Sequence, residues 1–446
     1  MTISRRIGFI STRFAGTDGV SLETAKWAEV LEGLGHQCFY FCGECDRPES
    51  VSHIVPEAFY RHPDIDAINQ TVYTGSWGQM HTQFSKQNGL KRLSQDFFSI
   101  YIRPREITKQ IQNLRTYLTD ELYKFAKHFN LELLIVENAL TIPVNIPLGL
   151  AISDFIAETG FPVIAHHHDF YWERQRFLNN SVGDYLSAAF PPNFPSVHHV
   201  VLNSVQAKAL ASRVGVNSMQ IPNVMNFNAS PKTPDGYADD ARKDLGLDEN
   251  QYLILQPTRI IQRKGIEHAI ELTRRLNLPA ELVISHAAGD EGTDYEKHVR
   301  EFSDLLGVTV NFESDIVAPS RGMTPNGRKI YSLDDIYPLA DLVTYPSMIE
   351  GFGNAFLEAV YYKRPLVINN YSIYEADIKP KGFHVVEFDG FVSEKTLVQV
   401  RDILLNPQKY AEKWEHNFHL ASRYYSYSML EHRLGLLLAD CFGEES

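Results

Sequence analysis

Tyr345-Pro346-Ser347-Met348-Ile349-Glu350-Gly351-Phe352-Gly353-Asn354-Ala355-Phe356-Leu357-Glu358 is the stretch on which the reading of this chain turns. Leu342–Thr344 ahead of it reads as a buried strand, and Asn354–Tyr362 reads as a helix. The segment is therefore a strand–loop–helix junction. Amides at a helix start lack intrahelical partners and face the positive end of the dipole, which suits a diphosphate. Gly351 and Gly353 let the backbone approach a ligand closely. Glu350 and Glu358 stand eight apart, a little over two helical turns. They are expected on one side, reaching different parts of an elongated ligand. An acidic cap on a core helix accounts for Glu350 alone. It does not account for the Pro-Ser approach, two glycines and a second glutamate together.

A second junction lies upstream. Tyr252–Gln256 reads as a strand and is followed by Thr258-Arg259-Ile260-Ile261-Gln262-Arg263-Lys264-Gly265. Three cations thus gather at the C-terminal edge of a strand, where open parallel sheets bind ligands. Arginine offers a planar fork to phosphate oxygens and lysine a point charge. A solvated basic turn is the plain alternative.

The same strand-then-helix alternation runs in both directions. After residue 250, strands Ala280–Ser285, Val308–Phe312 and Leu366–Asn369 join the two above, with helices Lys264–Leu276 and Asp294–Leu306 between them. Before residue 225, strands Ile7–Ser11, Gln37–Phe41, Leu133–Val136, Val163–His166 and Val197–Leu202 alternate with helices, the first over Ser21–Leu34. Alternating β and α predicts parallel sheets covered by helices. Ile221–Asn226 and the Pro/Asp/Gly-rich stretch to Gly236 form the best linker. Glu394 to Cys441 is almost all helical pattern. Residues 60–115, with Gly75, Trp77 and Gly78, are the least regular part and read as an insertion.

Composition narrows the function classes. The 446 residues are 44% hydrophobic and 22% charged, which is ordinary for a globular protein. Net charge is −13, against a general nucleic-acid binder, which needs a basic face. The excess is uneven: residues 1–225 carry −2 and residues 226–446 carry −11. A cation cluster inside the acidic half is more telling for that reason. No apolar stretch reaches the ~20 residues that span a bilayer, and the N-terminus has no signal-peptide pattern. With four cysteines, a reducing, cytoplasmic setting is expected. Cys42 and Cys45 form a lone CxxC, read chiefly as thiols at the end of an early strand. A redox pair and half a zinc site are the alternatives.

Two stretches of the first half carry polar signals. Asp18, Gly19 and Val20 lie in a glycine-containing loop after the first strand. His166, His167, His168 and Asp169 end a later strand. Consecutive residues of a strand alternate faces, so at most a pair of these histidines shares a metal.

Together these residues resemble the retaining glycosyltransferases of family 4, which have the two-domain GT-B architecture. The resemblance covers most of the chain and is strongest from about 250 to 365. It implies an α/β fold of two Rossmann-like domains facing across a cleft, with a C-terminal helix returning to the first. The acceptor-binding domain would be 1–225, completed by about 417–446, and the nucleotide-sugar-binding domain 226–416. Arg259 and Lys264 match the pair that neutralises the donor diphosphate. Glu358 matches the glutamate that holds the ribose hydroxyls, and Glu350 the one placed near the transferred sugar. Gly351, Phe352, Gly353 and Asn354 match the loop that contacts sugar and phosphate through backbone groups. Asp315 and Ile316 lie where such enzymes hold the base with main-chain groups. Gly19 and Val20, after Asp18, match the loop near phosphate or acceptor, although the family's adjacent glycine pair is broken up here. A His-Asp pair ending a strand matches the histidine that contacts the donor sugar. His168 is preferred, and which of the three histidines faces the cleft stays open.

The resemblance implies hexose transfer from a nucleotide-diphospho-sugar of UDP-glucose or GDP-mannose type, with retention. No Asp-x-Asp motif follows a strand, and Asp334-Asp335 reads as a helix cap. No metal or other cofactor is therefore implied. The acceptor is expected on the first domain, where residues 86–115 carry an excess of five positive charges. A solvated helix face is the plain reading of that stretch. A small anionic or sugar acceptor is the sharper one, and a lipid-linked acceptor at a membrane surface its rival. A sugar-nucleotide epimerase of the same fold and a CxxC redox or binding protein are further alternatives.

Overall fold

In the computed structural model, residues 4–16, 18–73, 102–231, 235–287, 294–312 and 315–443 are described. They form two compact units, Met1–Pro222 with Leu430–Ser446, and Asn223–Met429. The chain thus changes units three residues before the expected boundary.

The first unit is a parallel sheet between helices. Its elements are β1 (Arg6–Ile10), α1 (Gly19–Gly33), β2 (Gln37–Cys42), β3 (Ser52–Ile54), α2 (Arg105–His128), β4 (Leu133–Glu137), α3 (Ile146–Thr159), β5 (Val163–His167), β6 (Val197–Val201), α4 (Ser204–Val214) and β7 (Ser218–Gln220). The strand order is β3-β2-β1-β4-β5-β6-β7, and every pairing is parallel. Strands covered on both faces need apolar side chains throughout. Leu133, Leu134, Ile135 and Val136 meet that need and are buried. On one face, Leu118, Leu122 and Phe125 of α2 and Leu148, Ile152 and Phe155 of α3 close the core.

The second unit repeats the plan with β8 (Tyr252–Gln256), α5 (Ile266–Leu276), β9 (Ala280–Ile284), α6 (Asp294–Leu306), β10 (Val310–Phe312), β11 (Leu342–Tyr345), α7 (Asn354–Tyr361), β12 (Leu366–Asn369), β13 (Val386–Phe388), α8 (Glu394–Leu405) and α9 (Ala411–Tyr424). Its order is β10-β9-β8-β11-β12-β13, again parallel. The core joins Ile254, Leu282 and Leu342 of the sheet to Ile266 and Ile270 of α5 and Leu397 and Val400 of α8.

Trp414 of α9 is buried in that second core. The C-terminal return to the first unit therefore begins at Leu430, not near 417. It is made by α10 (Tyr427–Phe442), whose Leu430, Leu434, Leu437 and Leu438 are buried. There Asp440 meets His198 of β6 at 2.9 Å, and Arg5 lies over the Phe442 ring at 4.0 Å.

The edge strands β3, β7 and β13, of three residues each, escape the sequence reading, whereas β10, equally short, was read within Val308–Phe312. The proposed acceptor-facing basic stretch also changes. Lys86, Lys91, Arg92 and Asp96 lie outside the described residues, as do Gly75, Trp77 and Gly78. Two of its other cations are neutralised by the fold. Arg103 forms a two-bond pair with Asp184 at 2.7 and 2.8 Å, and Arg115 pairs with Asp154. Among the described residues no helix is long and apolar enough to cross a membrane.

Candidate functional site

In the second unit, the ends of β8 and β11 are tied by buried polar side chains. Thr344 Oγ1 donates to Gln256 Oε1 at 2.6 Å, and Gln256 Nε2 donates to Thr258 Oγ1 at 2.7 Å. Beyond these ends, two loops press together. Residues Gln262–Lys264 form a single 3-10 turn before α5. Gly265 closes it with φ +58°, and a Cβ there would lie 2.7 Å from the Pro346 carbonyl oxygen. Glycine is thus required for the contact. Met348 N donates to the Arg263 carbonyl at 2.9 Å, so the loops are also joined through their backbones.

This contact brings the charges together. Lys264 bonds Glu350, and Arg263 Nη1 reaches the other Glu350 oxygen at 3.0 Å. The Lys264 and Glu350 side chains are only 11% and 8% exposed. Burial pushes the Glu350 carboxyl up, but Lys264 and Arg263 outweigh it and hold it below its usual range. Burial lowers the Lys264 ammonium, and Arg263 and Arg259 add repulsion against Glu350. Arg259 itself is exposed. Three cations against one carboxylate leave an excess of positive charge at the strand end. Such a site favours an incoming anion.

The helix start is shaped by Gly353. Its φ is +127°, and a Cβ there would stand 2.7 Å from Tyr371 Oη and 3.1 Å from Tyr345. Tyr371 Oη donates to the Phe352 carbonyl at 2.6 Å, while the Phe352 ring packs on Tyr425. Phe352 therefore has a core side chain, and a ligand at this loop meets backbone. Asn354 opens α7, its Oδ1 accepting from Asn223 Nδ2 at 2.7 Å.

The helix opens at Asn354, as the sequence reading has it. Glu350 belongs to the loop and Glu358 to α7. Glu358 accepts from Tyr337 Oη at 2.6 Å. Asp315 is exposed, whereas Ile316 is a core residue whose carbonyl is already taken by Tyr331 N at 2.7 Å. Asp335 closes a capping box with Ser332, as the capping reading of Asp334-Asp335 expects.

In the first unit, the three histidines separate by strand alternation. His167 turns to one face and meets His199 at 2.8 Å. His166 and His168 share the other face with Glu137, the register partner of His166 on β4. The Glu137 carboxylate lies 2.9 Å from His166 Nδ1 and 2.8 Å from His168 Nε2. His166 and His167 are fully buried, while the His168 side chain keeps 10% exposure. The third member of the cluster is thus a carboxylate from the next strand. These ligand-type atoms lie within 4.8 Å of one another. The 2.8 Å contact between His168 Nε2 and Glu137 has the length of a hydrogen bond. Asp169 pairs with Arg174 and accepts from Asn138 Nδ2 at 3.0 Å.

The early loop is held by a cap. Asp18 is the N-cap of α1, accepting from Val20 N at 3.1 Å and Ser21 N at 3.2 Å. Its carboxylate also pairs with Arg13 at 3.0 Å. The Val20 amide is thereby occupied by the protein's own anion. At Gly19 an added Cβ would meet nothing within 4 Å, so no crowding demands glycine there.

Sequence reading did not single out Glu137, Arg263's bond to Glu350, Tyr337 or His286. The half-buried His286 lies two residues past β9, and burial, with Arg259 and Lys264 beside it, lowers its pKa. A polar residue at or just past the end of an apolar strand run is the signal shared by Glu137 and His286.

Two Rossmann-like parallel units, the second with a cationic strand end and a glycine-shaped loop before a helix, define a hexosyltransferase of GT-B architecture. Solved structures agree on the fold. Sucrose-phosphate synthase from Thermosynechococcus elongatus matches with a TM-score of 0.64 at 15% identity, over 98% of this chain and 99% of that one. The Anabaena protein HepE, solved in complex with UDP and glucose, matches at 0.62 and 14% identity, over 98% and 100%. No protein-family model matches the sequence. By sequence, the chain is 30% identical to mannosylglucosylglycerate synthase of Thermotoga maritima over 459 residues, 96% of this chain and 98% of that protein. The chain belongs to the glycosyltransferase family of that synthase.

Proposed function

We propose that this enzyme moves a mannosyl group from a nucleotide-diphospho-mannose to a glucosylglycerate-type acceptor, with retention at the anomeric carbon. The observation that carries the donor side is the cation-rich end of β8 set against the 346–353 loop. The acceptor reading rests on the full-length kinship with a synthase named for the product mannosylglucosylglycerate. Its glycerate carboxylate fits the small anionic acceptor expected from the sequence.

In this reading the barrier is cleavage of the anomeric C–O bond, with charge building on the leaving diphosphate. Lys264 and Arg259 stabilise that charge, helped by amides at the start of α7. Arg263 keeps Glu350 ionised and placed, and Glu350 steadies the sugar. Glu358 accepts from the ribose hydroxyls. His168 is the first-unit residue that meets the donor sugar. Retention follows front-face attack, the leaving phosphate taking the acceptor proton. Membership of family 4 belongs to the same proposal, as does metal independence. The four thiols, which are free, favour a cytoplasmic setting.

The test is a mass-spectrometric screen of GDP-mannose, UDP-mannose and UDP-glucose against glucosylglycerate, its phosphorylated form, free glycerate and a glycolipid. A retained α-mannoside on glucosylglycerate is the expected product. Sugar conversion without any acceptor would mark an epimerase, and transfer to the glycolipid alone a membrane-surface enzyme.

A further inference from the structure

Glu137 is fully buried at the C-terminal end of β4. A carboxylate so placed is costly unless it is paired. Its partners are the imidazoles of His166 and His168. An ionised carboxylate only accepts hydrogen bonds, so the His168 nitrogen facing it, Nε2, carries a hydrogen. That leaves Nδ1 as the atom pointing away from Glu137. The backbone of His168 is clamped as well. Its N–H donates to Asn138 Oδ1 at 3.2 Å, and its carbonyl accepts from Gln206 Nε2 at 3.0 Å. From below, the Trp27 ring stacks on His166 at 4.1 Å and His166 lies against His168 at 4.3 Å. The ring of His168 has little freedom left.

We infer that Glu137 is a positioning residue for hexosyl transfer, fixing the His168 imidazole with Nε2–H inward so that Nδ1 meets the donor. The inference rests on the reading of His168 given above. It gains support from the charges around the ring. Burial disfavours the His168 proton, but Glu137 outweighs it, with Glu23 and Asp169 adding to the pull. The titratable groups that act on His168 are Glu137 on β4, Glu23 on α1, Asp169 and His166, with His167 on the opposite face of the strand. Lys26 and Arg174 pair with Glu23 and Asp169 and temper them. The Glu137 carboxylate is held down to about 2 by the two imidazoles against its burial. It therefore stays ionised, and it makes the His168 ring hold its second proton more tightly than a free imidazole does.

The experiment is kcat/KM against pH for the full chain, its His168→Ala variant and its Glu137→Gln variant, with the donor and acceptor that turn over. Glu137→Gln is expected to lower kcat roughly 10- to 100-fold, the range of one charge-assisted hydrogen bond. It is also expected to move the alkaline limb of the profile to lower pH. A merely structural role leaves that limb in place. Unchanged kinetics in His168→Ala removes His168 from the donor site and this inference with it. Slow transfer in His168→Ala beside an unmoved limb in Glu137→Gln overturns the inference alone. Should Glu137→Gln not fold, nitrogen-15 spectra of the wild-type imidazoles decide. A persistent Nε2–H on His168 supports the assignment, and the opposite tautomer overturns it. A cobalt(II) absorption band that titrates to one equivalent and vanishes in His168→Ala would overturn it too, by making the cluster a metal site.

Discussion

The Lys264 ammonium and the Glu350 carboxylate form an ion pair almost closed to solvent, although they come from loops following different strands. Arg263 shares the same carboxylate. The pair holds in place the lysine proposed to meet the phosphate and the glutamate proposed to meet the sugar. Lys264→Ala should lower turnover by roughly 10²- to 10³-fold. It should cost only about 1–3 kcal/mol of stability, because Arg263 remains to compensate Glu350. Steady-state kinetics beside urea unfolding separates the two, and wild-type kinetics would remove Lys264 from the chemistry.

Gly353 has no room for a methyl group, with Tyr371 Oη and the Tyr345 ring in the way. Gly353→Ala should destabilise the second unit by about 1–3 kcal/mol from backbone strain and overlap. It should also depress transfer by displacing the backbone ahead of α7. A thermal melt and a donor-binding isotherm check this. A variant that binds donor normally would show that the loop does not contact it.

Tyr337 Oη holds one oxygen of Glu358. Glu358→Ala should raise the donor KM strongly with a smaller fall in kcat, since ribose contacts are equal in ground and transition states. Tyr337→Phe should do the same more weakly. The reverse pattern, a kcat loss at constant KM, would move Glu358 from the ribose to the reacting sugar.

Acid should weaken the first unit through His167 and His199. Burial holds His199 down to about 4 and His167 well below its usual value. Their folded values lie under the unfolded value of about 6.5, so the unfolded chain binds protons that the native one refuses. Stability is then fully present above about pH 6.5 and lost as pH falls toward 4, by up to about 3 kcal/mol for His199. Glu137 adds loss only below its unfolded value of about 4.3. Unfolding free energies from pH 7.5 to 4.5 should flatten in His199→Asn. An identical slope in that variant would assign the acid sensitivity elsewhere.

Cys45 is half-buried beside Cys42 and Ser52, and the Cys42 thiol brings its pKa down to about 6. The Cys42 thiol is fully buried and raised by its bond to Cys45 and by burial. Alkylation at pH 7 should therefore label Cys45 first. Cys42→Ser should leave transfer kinetics unchanged, and loss of transfer there would revive the redox reading of the pair.

The sequence by itself determined the two βα series, because strands buried on both faces must be continuous apolar runs and helices must show their own period. It determined the two strand-end loops as well, since cations and glycines cluster there against an acidic background. It could not give the partners of those charges. Arg263 and Lys264 meet Glu350 only because parallel register sets β8 beside β11 and Gly265 lets the loops touch. Nor could it set Glu350 relative to Glu358, because Glu350 stands in the loop ahead of α7 and the backbone turns between them at Gly353, with φ +127°. Strand alternation already divided the three histidines into a pair and a singleton on paper, but their partner was not legible. The neighbouring strand supplied Glu137, thirty-one residues upstream of His168 and 2.8 Å from its ring. Local chemistry is written along the chain, whereas the pairing of charges depends on distances that only packing sets.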